Sequence, residues 1–171
     1  MIDKGEVIKT AFFRLGKNNA YNDNKSDEYI TAIALLDKII DNMAKQTAFL
    51  FNSVTTKLTS TGANDMGENR FNTPVDCLNI IRADNDYREE NEFIYSSSSE
   101  LNIQYCRKID VKEYPDKLFD YMVASLCKDM CLAFNAYQDR FQLFSQDEYK
   151  ERSKIINQQG FNYNPWGVNN G

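Results

Sequence analysis

Histidine is absent from the 171-residue sequence, which also has little proline (three residues) and a single tryptophan. Without histidine, the commonest general base and the commonest metal ligand are missing, so catalysis or metal binding would depend on carboxylates and thiols. Lysine and arginine number 20 against 25 aspartates and glutamates, which gives a net charge of −5. An acidic chain without a basic cluster is a poor candidate for binding the phosphate backbone of nucleic acids.

Long apolar runs are also missing. No stretch of about 18 apolar residues occurs, so we expect no membrane span. The opening Met1-Ile2-Asp3-Lys4 is polar and does not resemble a secretory signal, which favours synthesis in a cytoplasm and reduced thiols. The spacing of the cysteines matches no zinc signature, and we expect all of them to be free, small core residues: Cys77, Cys106, Cys127 and Cys131.

Helical spacing of apolar residues predicts two helices in the first 50 residues. Asp3 followed by Glu6 is typical of a helix start, and Gly16 of a helix end. Ser26 is expected to cap the second helix. Its predicted buried stripe consists of Tyr29, Ile30, Ile33, Leu36, Ile40, Met43 and Ala44.

Two more helices are predicted after residue 112. The third follows Pro115 with Asp116 as its cap, and its predicted stripe consists of Leu118, Phe119, Met122, Val123, Leu126, Cys127, Met130 and Phe134. In the fourth, Ser145 with Glu148 fits a capping box, and the flanking aromatic residues, Phe144 and Tyr149, fit a hydrophobic staple. Gly160 ends this helix.

Alternating apolar and polar residues predict an antiparallel meander between about residues 53 and 107. Ser60–Asn69 contains two glycines and almost no apolar residue, which indicates an exposed, mobile loop. The acidic stretch Asp84–Glu92 suggests a solvated hairpin tip. A calcium loop is the alternative there, but the glycine that such a loop needs is missing.

The order of these elements predicts an α+β fold: a bundle of about four helices with an inserted small antiparallel β-sheet and an extended C-terminal tail. We expect residues 1–52 and 112–159 to form the helical bundle and residues 53–111 the β subdomain. Residues 160–171 would form an arm, because Gly160 and Pro165 disfavour a further helix.

One short stretch, Phe71 to Ile81, leads into the predicted sheet. Pro74 fixes its own φ angle, and Asp76 can bond to its own backbone and set a turn. Beyond the turn, alternation places Leu78 and Ile80 on one face of a strand, and Cys77 on the other.

The sequence Phe71-Asn72-Thr73-Pro74-Val75-Asp76-Cys77-Leu78 resembles the signature of the tail tubular protein A family, the head-to-tail adaptors of short-tailed phages. Other features also resemble that family: Leu15-Gly16 at the end of the first helix, Ile103-Gln104-Tyr105-Cys106-Arg107, and Leu118–Ala124 leading into Leu132-Ala133 in the third helix. Thr73 replaces the usual leucine, and Phe49-Leu50-Phe51-Asn52 stands where the family has a Pro-Trp pair. Heavy use of asparagine, lysine and isoleucine would suit an AT-rich phage, such as a crAss-like phage of gut bacteria.

The resemblance implies a structural virion protein at the head-to-tail junction, made in the host cytoplasm. Such a protein forms a homo-oligomeric ring, a dodecamer in this family, below the portal protein. It extends the DNA channel without sequence-specific DNA binding and supports distal tail rings, nozzle proteins or fibres. The resemblance implies no enzymatic activity, cofactor, metal or membrane.

The C-terminal arm carries three aromatic residues within six positions: Phe161, Tyr163 and Trp166. A free terminus normally frays and has no need of such side chains, whereas aromatic residues are favoured at interfaces. We therefore expect this arm to bind a neighbouring subunit or the portal.

A phage tail protein that hydrolyses peptidoglycan is the alternative function. Hydrolysis of a glycosidic bond requires a pair of carboxylates across a cleft, one of them with a raised pKa. The sequence contains no carboxylate in an apolar setting that clearly suits the acid role, so the structural function is favoured.

Overall fold

The computed structural model describes residues 1–17 and 20–158. Four α-helices and seven β-strands occur in this part of the chain, and the predicted α+β class is confirmed. The helices are α1 (Lys4–Arg14), α2 (Asp27–Lys45), α3 (Phe119–Ala133) and α4 (Phe141–Asn157). Among the described residues, no helix is both long and apolar enough to cross a bilayer.

The chain divides into two compact units. A helical unit contains Met1–Met43 and the described residues from Ile109 onward, and a β unit contains Ala44–Lys108. The strands of the β unit are β1 (Ser53–Thr59), β2 (Gly62–Ala63), β3 (Asn69–Asn72), β4 (Cys77–Ala83), β5 (Arg88–Glu90), β6 (Phe93–Ser96) and β7 (Glu100–Arg107). The β unit is therefore an insertion in the chain of the helical unit.

Helix α1 begins and ends at the predicted residues. The Asp3 carboxylate accepts a hydrogen bond from the backbone N–H of Glu6 at 3.0 Å. At the other end, Gly16 has φ 74° and donates its N–H to the Phe13 carbonyl, while Lys17 donates to the Phe12 carbonyl. This pair of bonds is a Schellman motif, which uses the left-handed conformation that glycine adopts without strain.

Helix α2 lies antiparallel to α1. The Phe12 ring stacks on Tyr29 at 6.5 Å between centroids, and Lys4 Nζ is 2.7 Å from the Asp37 carboxylate. As predicted, the Ser26 hydroxyl caps the helix by accepting from the Tyr29 N–H at 3.2 Å.

The predicted buried stripe of α2 is wrong at two positions. Ile30 and Ile33 are exposed, whereas the fully buried line of the helix consists of Ala32, Leu36, Ile39 and Met43. Apolar residues lie on both sides of this helix, so their spacing alone does not show which side is buried, and the predicted stripe included residues from both. The packed side is the one on which residues follow at i, i+4, i+7 and i+11.

Helix α3 is the centre of the helical unit. Every residue from Tyr121 to Cys127 is buried, which is the behaviour of a helix that is apolar nearly all round. Two apolar positions predicted to be core, Phe119 and Phe134, are only half-buried. The predicted cap is wrong as well, because a 3₁₀ turn, Asp116–Leu118, precedes the helix. The Asp116 carboxylate instead accepts a hydrogen bond from the N-terminal ammonium of Met1 at 2.5 Å.

Helix α4 starts earlier than predicted. A 3₁₀ helix, Asn135–Arg140, runs directly into it, so the chain is already helical at Ser145. A cap residue needs a non-helical backbone, and the predicted capping box therefore does not form. Glu148 binds side chains of α3, and Tyr149 is exposed, so the staple is wrong too.

The β unit contains two small sheets. One has the strand order β1-β7-β4 and the other β2-β3-β6-β5, and all their pairs are antiparallel. This arrangement differs from the predicted simple meander, because β7 lies between β1 and β4. Both sheets contribute side chains to one apolar cluster: Phe71, Ile80, Ile94, Leu101, Ile103 and Tyr105.

Strand β4 contains two irregularities that the sequence pattern did not predict. Its register with β7 shifts between Cys77 and Asn79 and again between Ile80 and Arg82. Each shift inserts a residue and interrupts the alternation of faces. Ile80 belongs to the cluster and Cys77 packs against it, so the predicted pairing of Leu78 and Ile80 on one face is wrong.

The predicted loop Ser60–Asn69 contains β2 and a compact turn. The Asn64 side chain accepts hydrogen bonds from the backbone N–H groups of Met66 and Glu68 and donates to the Glu68 carboxylate. Asparagine commonly organises turns in this way, and a chain segment with few apolar residues can be ordered by it.

Candidate functional site

The signature turn, Pro74–Cys77, connects strand β3 of one sheet to strand β4 of the other. Hydrogen bonds join this turn to β7 and to Lys108, the residue that follows β7. The Cys77 N–H donates to the Pro74 carbonyl at 2.9 Å, which closes the turn, and the Lys108 N–H donates to the Asp76 carbonyl at 2.7 Å. The Asp76 carboxylate accepts from the Tyr105 hydroxyl at 3.0 Å. Burial, with a further contribution from Asp76, raises the pKa of Tyr105 to about 12, so the phenol keeps this proton at neutral pH.

These contacts give the signature residues a structural role. Phe71 is fully buried in the apolar cluster, Cys77 packs against that cluster, and Leu78 is half-buried at the first register shift. Asp76 fixes the turn through β7 rather than through its own backbone as predicted. Val75, at the tip, is fully exposed and is the signature side chain that the turn presents to solvent.

The three aromatic residues of the predicted arm, Phe161, Tyr163 and Trp166, lie outside the described residues. Their role as an interface therefore stays a prediction.

Large apolar side chains are exposed on the first two helices. Phe13 on α1 is 70% exposed, and Ile30 and Ile33 on α2 are 55% and 40% exposed. Contiguous exposed apolar surface is typical of sites that bind another protein. The sequence contained this signal, because α2 has more apolar residues than one buried face can hold.

A hollow of about 290 Å³ lies in the second sheet and was not predicted. Its wall includes Glu68, Tyr87, Arg88 and Tyr95. The Arg88 guanidinium is 2.7 Å from the Glu68 carboxylate and lies over the Tyr95 ring at 4.4 Å. Hydrogen bonds from Arg88 lower the pKa of Glu68. Because Arg88 also binds Glu90, its donors are engaged within the subunit, and this group primarily braces β3, β5 and β6.

A second polar group joins α3 to α4. The Glu148 carboxylate accepts hydrogen bonds from Ser125 Oγ and from Lys128 Nζ, both at 2.6 Å. Lys128 Nζ also lies 3.8 Å from the Asp129 carboxylate. Burial raises the pKa of Asp129, and the charge of Lys128 only partly opposes this effect. Asp129, half-buried and with a raised pKa, is thus the carboxylate most similar to the general acid of a hydrolase. The neighbouring carboxylate, Glu148, already accepts hydrogen bonds at both of its oxygens.

The four cysteines are free, as predicted. Burial raises the pKa of the Cys77 thiol to about 11 and that of Cys127 to about 12, so neither is a thiolate at neutral pH. Within the described ranges, no three cysteine or carboxylate side chains are grouped closely enough to hold a metal ion.

All five carboxylate side chains of the acidic stretch Asp84–Glu92 are exposed. It forms strand β5 and a two-residue turn, in which Asn91 has φ 57°. Burial opposes the ionisation of Asp84, but hydrogen bonds from Asn102 outweigh it and lower the pKa of Asp84. The segment therefore carries a negative surface, as a solvated tip would.

Neither a family model nor a curated protein matches the sequence.

Proposed function

We propose that this chain is the subunit of a head-to-tail adaptor ring of a short-tailed phage. It would bind below the portal, extend the DNA channel and support the distal tail proteins. The observation that carries the proposal is the insertion of a small β unit between two helical pairs, with the turn Pro74–Cys77 connecting β3 to β4 inside that unit. The signature residues form this turn and its contacts with the core. A sequence signature is expected to mark such residues when they are needed for the fold.

The surface of the subunit supports the proposal in two ways. An adaptor between two partners requires two different contact surfaces, and apolar side chains are exposed in both units, with Phe13 and Ile30 on helices and Val75 on a β turn. A channel for DNA is best lined by groups that repel phosphates, and the Asp84–Glu92 stretch supplies exposed carboxylates. We assign the helical surface to portal binding, the β turns to the distal tail, and the C-terminal arm to a neighbouring subunit or the portal.

Binding to the cognate portal protein tests the proposal. Purified protein mixed with portal rings should add one further ring in negative-stain images, and the complex should co-elute on size-exclusion chromatography. Phe13→Asp should abolish this complex while Val75→Asp leaves it intact, because the two exposed side chains are assigned to opposite partners. Neither substitution touches the core, so circular dichroism should be unchanged. A chain that never binds portal would refute the adaptor function.

The hydrolase alternative rests on one observation, the raised pKa of Asp129 beside Lys128 and Glu148. A zymogram on peptidoglycan compares the wild-type protein with Asp129→Asn, which keeps the shape and removes the acid. We expect no clearing by either protein. Clearing by the wild type that the variant lacks would assign hydrolysis to this chain.

A further inference from the structure

Strand β1 has a free edge whose outward backbone groups can be identified. At its two ends, Arg107 N–H donates to the Asn52 carbonyl and Ser60 N–H donates to the Ser99 carbonyl. In an antiparallel pair, hydrogen-bonded residues alternate with residues whose N–H and C=O point away from the partner strand. Even-numbered residues of β1 therefore bond to β7, and the backbone groups of Thr55, Lys57 and Thr59 point outward.

Nothing in the described part of the chain bonds to these outward groups. All three residues are exposed, and the register of β1 with β7 is regular over its seven residues. Natural proteins usually protect such an edge with bulges, prolines, several charges or a very short strand. Here a single lysine is the only charged residue of the strand.

The other edges of the two sheets are protected in these ways. Strand β4 has two shifts of register, β2 contains two residues, and β5 contains three residues, two of which are the glutamates Glu89 and Glu90. The edge of β1 is thus the long, regular one among the described strands, which is the property that strand addition requires.

The inner face of this edge is incompletely covered. Val54 and Leu58 pack against the apolar cluster of the β unit but remain half-exposed. A strand that added to β1 would place alternate side chains on this face, where apolar ones would extend the cluster.

Self-pairing of two β1 strands is disfavoured. Antiparallel pairing centred on Lys57, the middle one of the three outward-pointing residues, would set Lys57 opposite Lys57, and like charges directly opposite each other are destabilising. Such a pair is also isologous and closes a dimer, whereas a ring needs heterologous contacts.

We propose that residues 161–164 of a neighbouring copy add as a strand to the β1 edge. The sequence Phe161-Asn162-Tyr163-Asn164 alternates aromatic and polar residues, which is the period of a half-buried strand. It contains no charged side chain to oppose Lys57, and Pro165, which lacks an N–H, would end the pairing. Phe161 and Tyr163 would cover Val54 and Leu58.

The inference rests on the proposed function, since the donor is the next subunit of the ring. Each subunit would donate its arm to one neighbour and accept, at its β1 edge, the arm of the neighbour on its other side. Such a contact is heterologous, and it repeats around a closed ring. The neighbour's arm would thus complete the sheet of each β unit.

Amide hydrogen exchange of the full-length chain tests this contact, read at single residues by fragmentation mass spectrometry. In dilute protein, the amides of Thr55, Lys57 and Thr59 should exchange rapidly, and assembly should slow them at least ~10-fold. The amides of Thr56 and Leu58, bonded to β7, are internal controls and should be slow in both states. Protection of the outward amides that does not depend on concentration would mean binding within one copy and would overturn the inference.

Two variants separate the backbone from the side chain. Lys57→Pro removes an N–H that β7 does not use, which an edge strand tolerates, whereas Lys57→Ala removes the same side chain and keeps the N–H. Assembly should be lost in Lys57→Pro and kept in Lys57→Ala, and fluorescence of Trp166, the single tryptophan, should change with assembly in the alanine variant alone. Rings that bind portal without protection of the outward amides would refute the strand contact and leave the adaptor function standing. A chain that neither assembles nor binds portal would refute both.

Discussion

Replacing Leu126 with alanine tests whether α3 is the centre of the helical unit. Leu126 is completely buried and lies with Phe12, Ala32 and Met130 around a space too small for a water molecule. The substitution removes roughly three carbon groups, each worth about 0.8 kcal/mol of transfer free energy, and leaves a cavity. Met130 is flexible and can fill part of that cavity. We expect a loss of about 3 kcal/mol from the free energy of unfolding, within the range of about 2–5 kcal/mol for buried leucines.

Urea titration followed by circular dichroism at a helical wavelength measures this loss, because the helical unit dominates that signal. Leu132→Ala is the matched control: it is the same substitution on the same helix, but this side chain is 64% exposed. It should change the free energy by less than about 0.5 kcal/mol. Equal effects of the two substitutions, or a loss below about 1 kcal/mol for Leu126→Ala, would show that α3 does not occupy the core.

Three further predictions concern the thiols, the β hairpin and the arm. Because burial raises the pKa of Cys77 to about 11 and of Cys127 to about 12, native protein should react slowly with thiol reagents, and a chelator or reductant should not change the melting temperature. Arg88 lowers the pKa of Glu68 below its ordinary 4.5, so the stabilisation is present above that pH and is lost as the pH falls through the folded value. Pepsin should therefore cut the β2–β3 hairpin faster as the pH drops below 4.5 in the wild type, but Glu68→Gln should lack this dependence. Truncation after Gly160 should leave the melting temperature of the dilute chain unchanged and abolish portal binding, whereas a drop of several degrees would place the arm in the subunit's own core.

Element types were predictable from sequence where periodicity was strong. Helix α1 has a single apolar face and local signals at both ends, and its residues from Asp3 to Gly16 behave as predicted. The fourth helix was harder, because a capping pattern at Ser145 occurs by chance inside a longer helix. The sequence pattern shows which residues are able to cap a helix. Whether Ser145 does so depends on the backbone before it, which the preceding 3₁₀ helix already makes helical.

Faces and contacts between distant residues were less predictable. Alternation placed Leu78 on the same face as Ile80, but two shifts of register interrupt β4, and Cys77 packs against the apolar cluster that contains Ile80. The contacts of Glu148 with α3 and of Arg88 with Glu68 join residues about 20 positions apart, and no local pattern specifies them. The free edge of β1 could not be predicted without the strand order, which places β7 on one side of β1 only.

The β unit enters and leaves the chain at one place. Ser53 of β1 pairs directly with Cys106 of β7, so the first and last strands of the insertion are neighbours, about 4.5 Å apart at these Cα atoms. The side-chain amide of Asn52, almost fully buried, donates to the carbonyls of both Ala44 and Arg107 and so clasps the two ends together. An insert of this kind can be exchanged as a cassette, because the host chain needs only two adjacent attachment points. Under the proposed function, a change of tail partner would require replacing only this β unit, while α2 and α3, which flank it in the sequence, keep their residues.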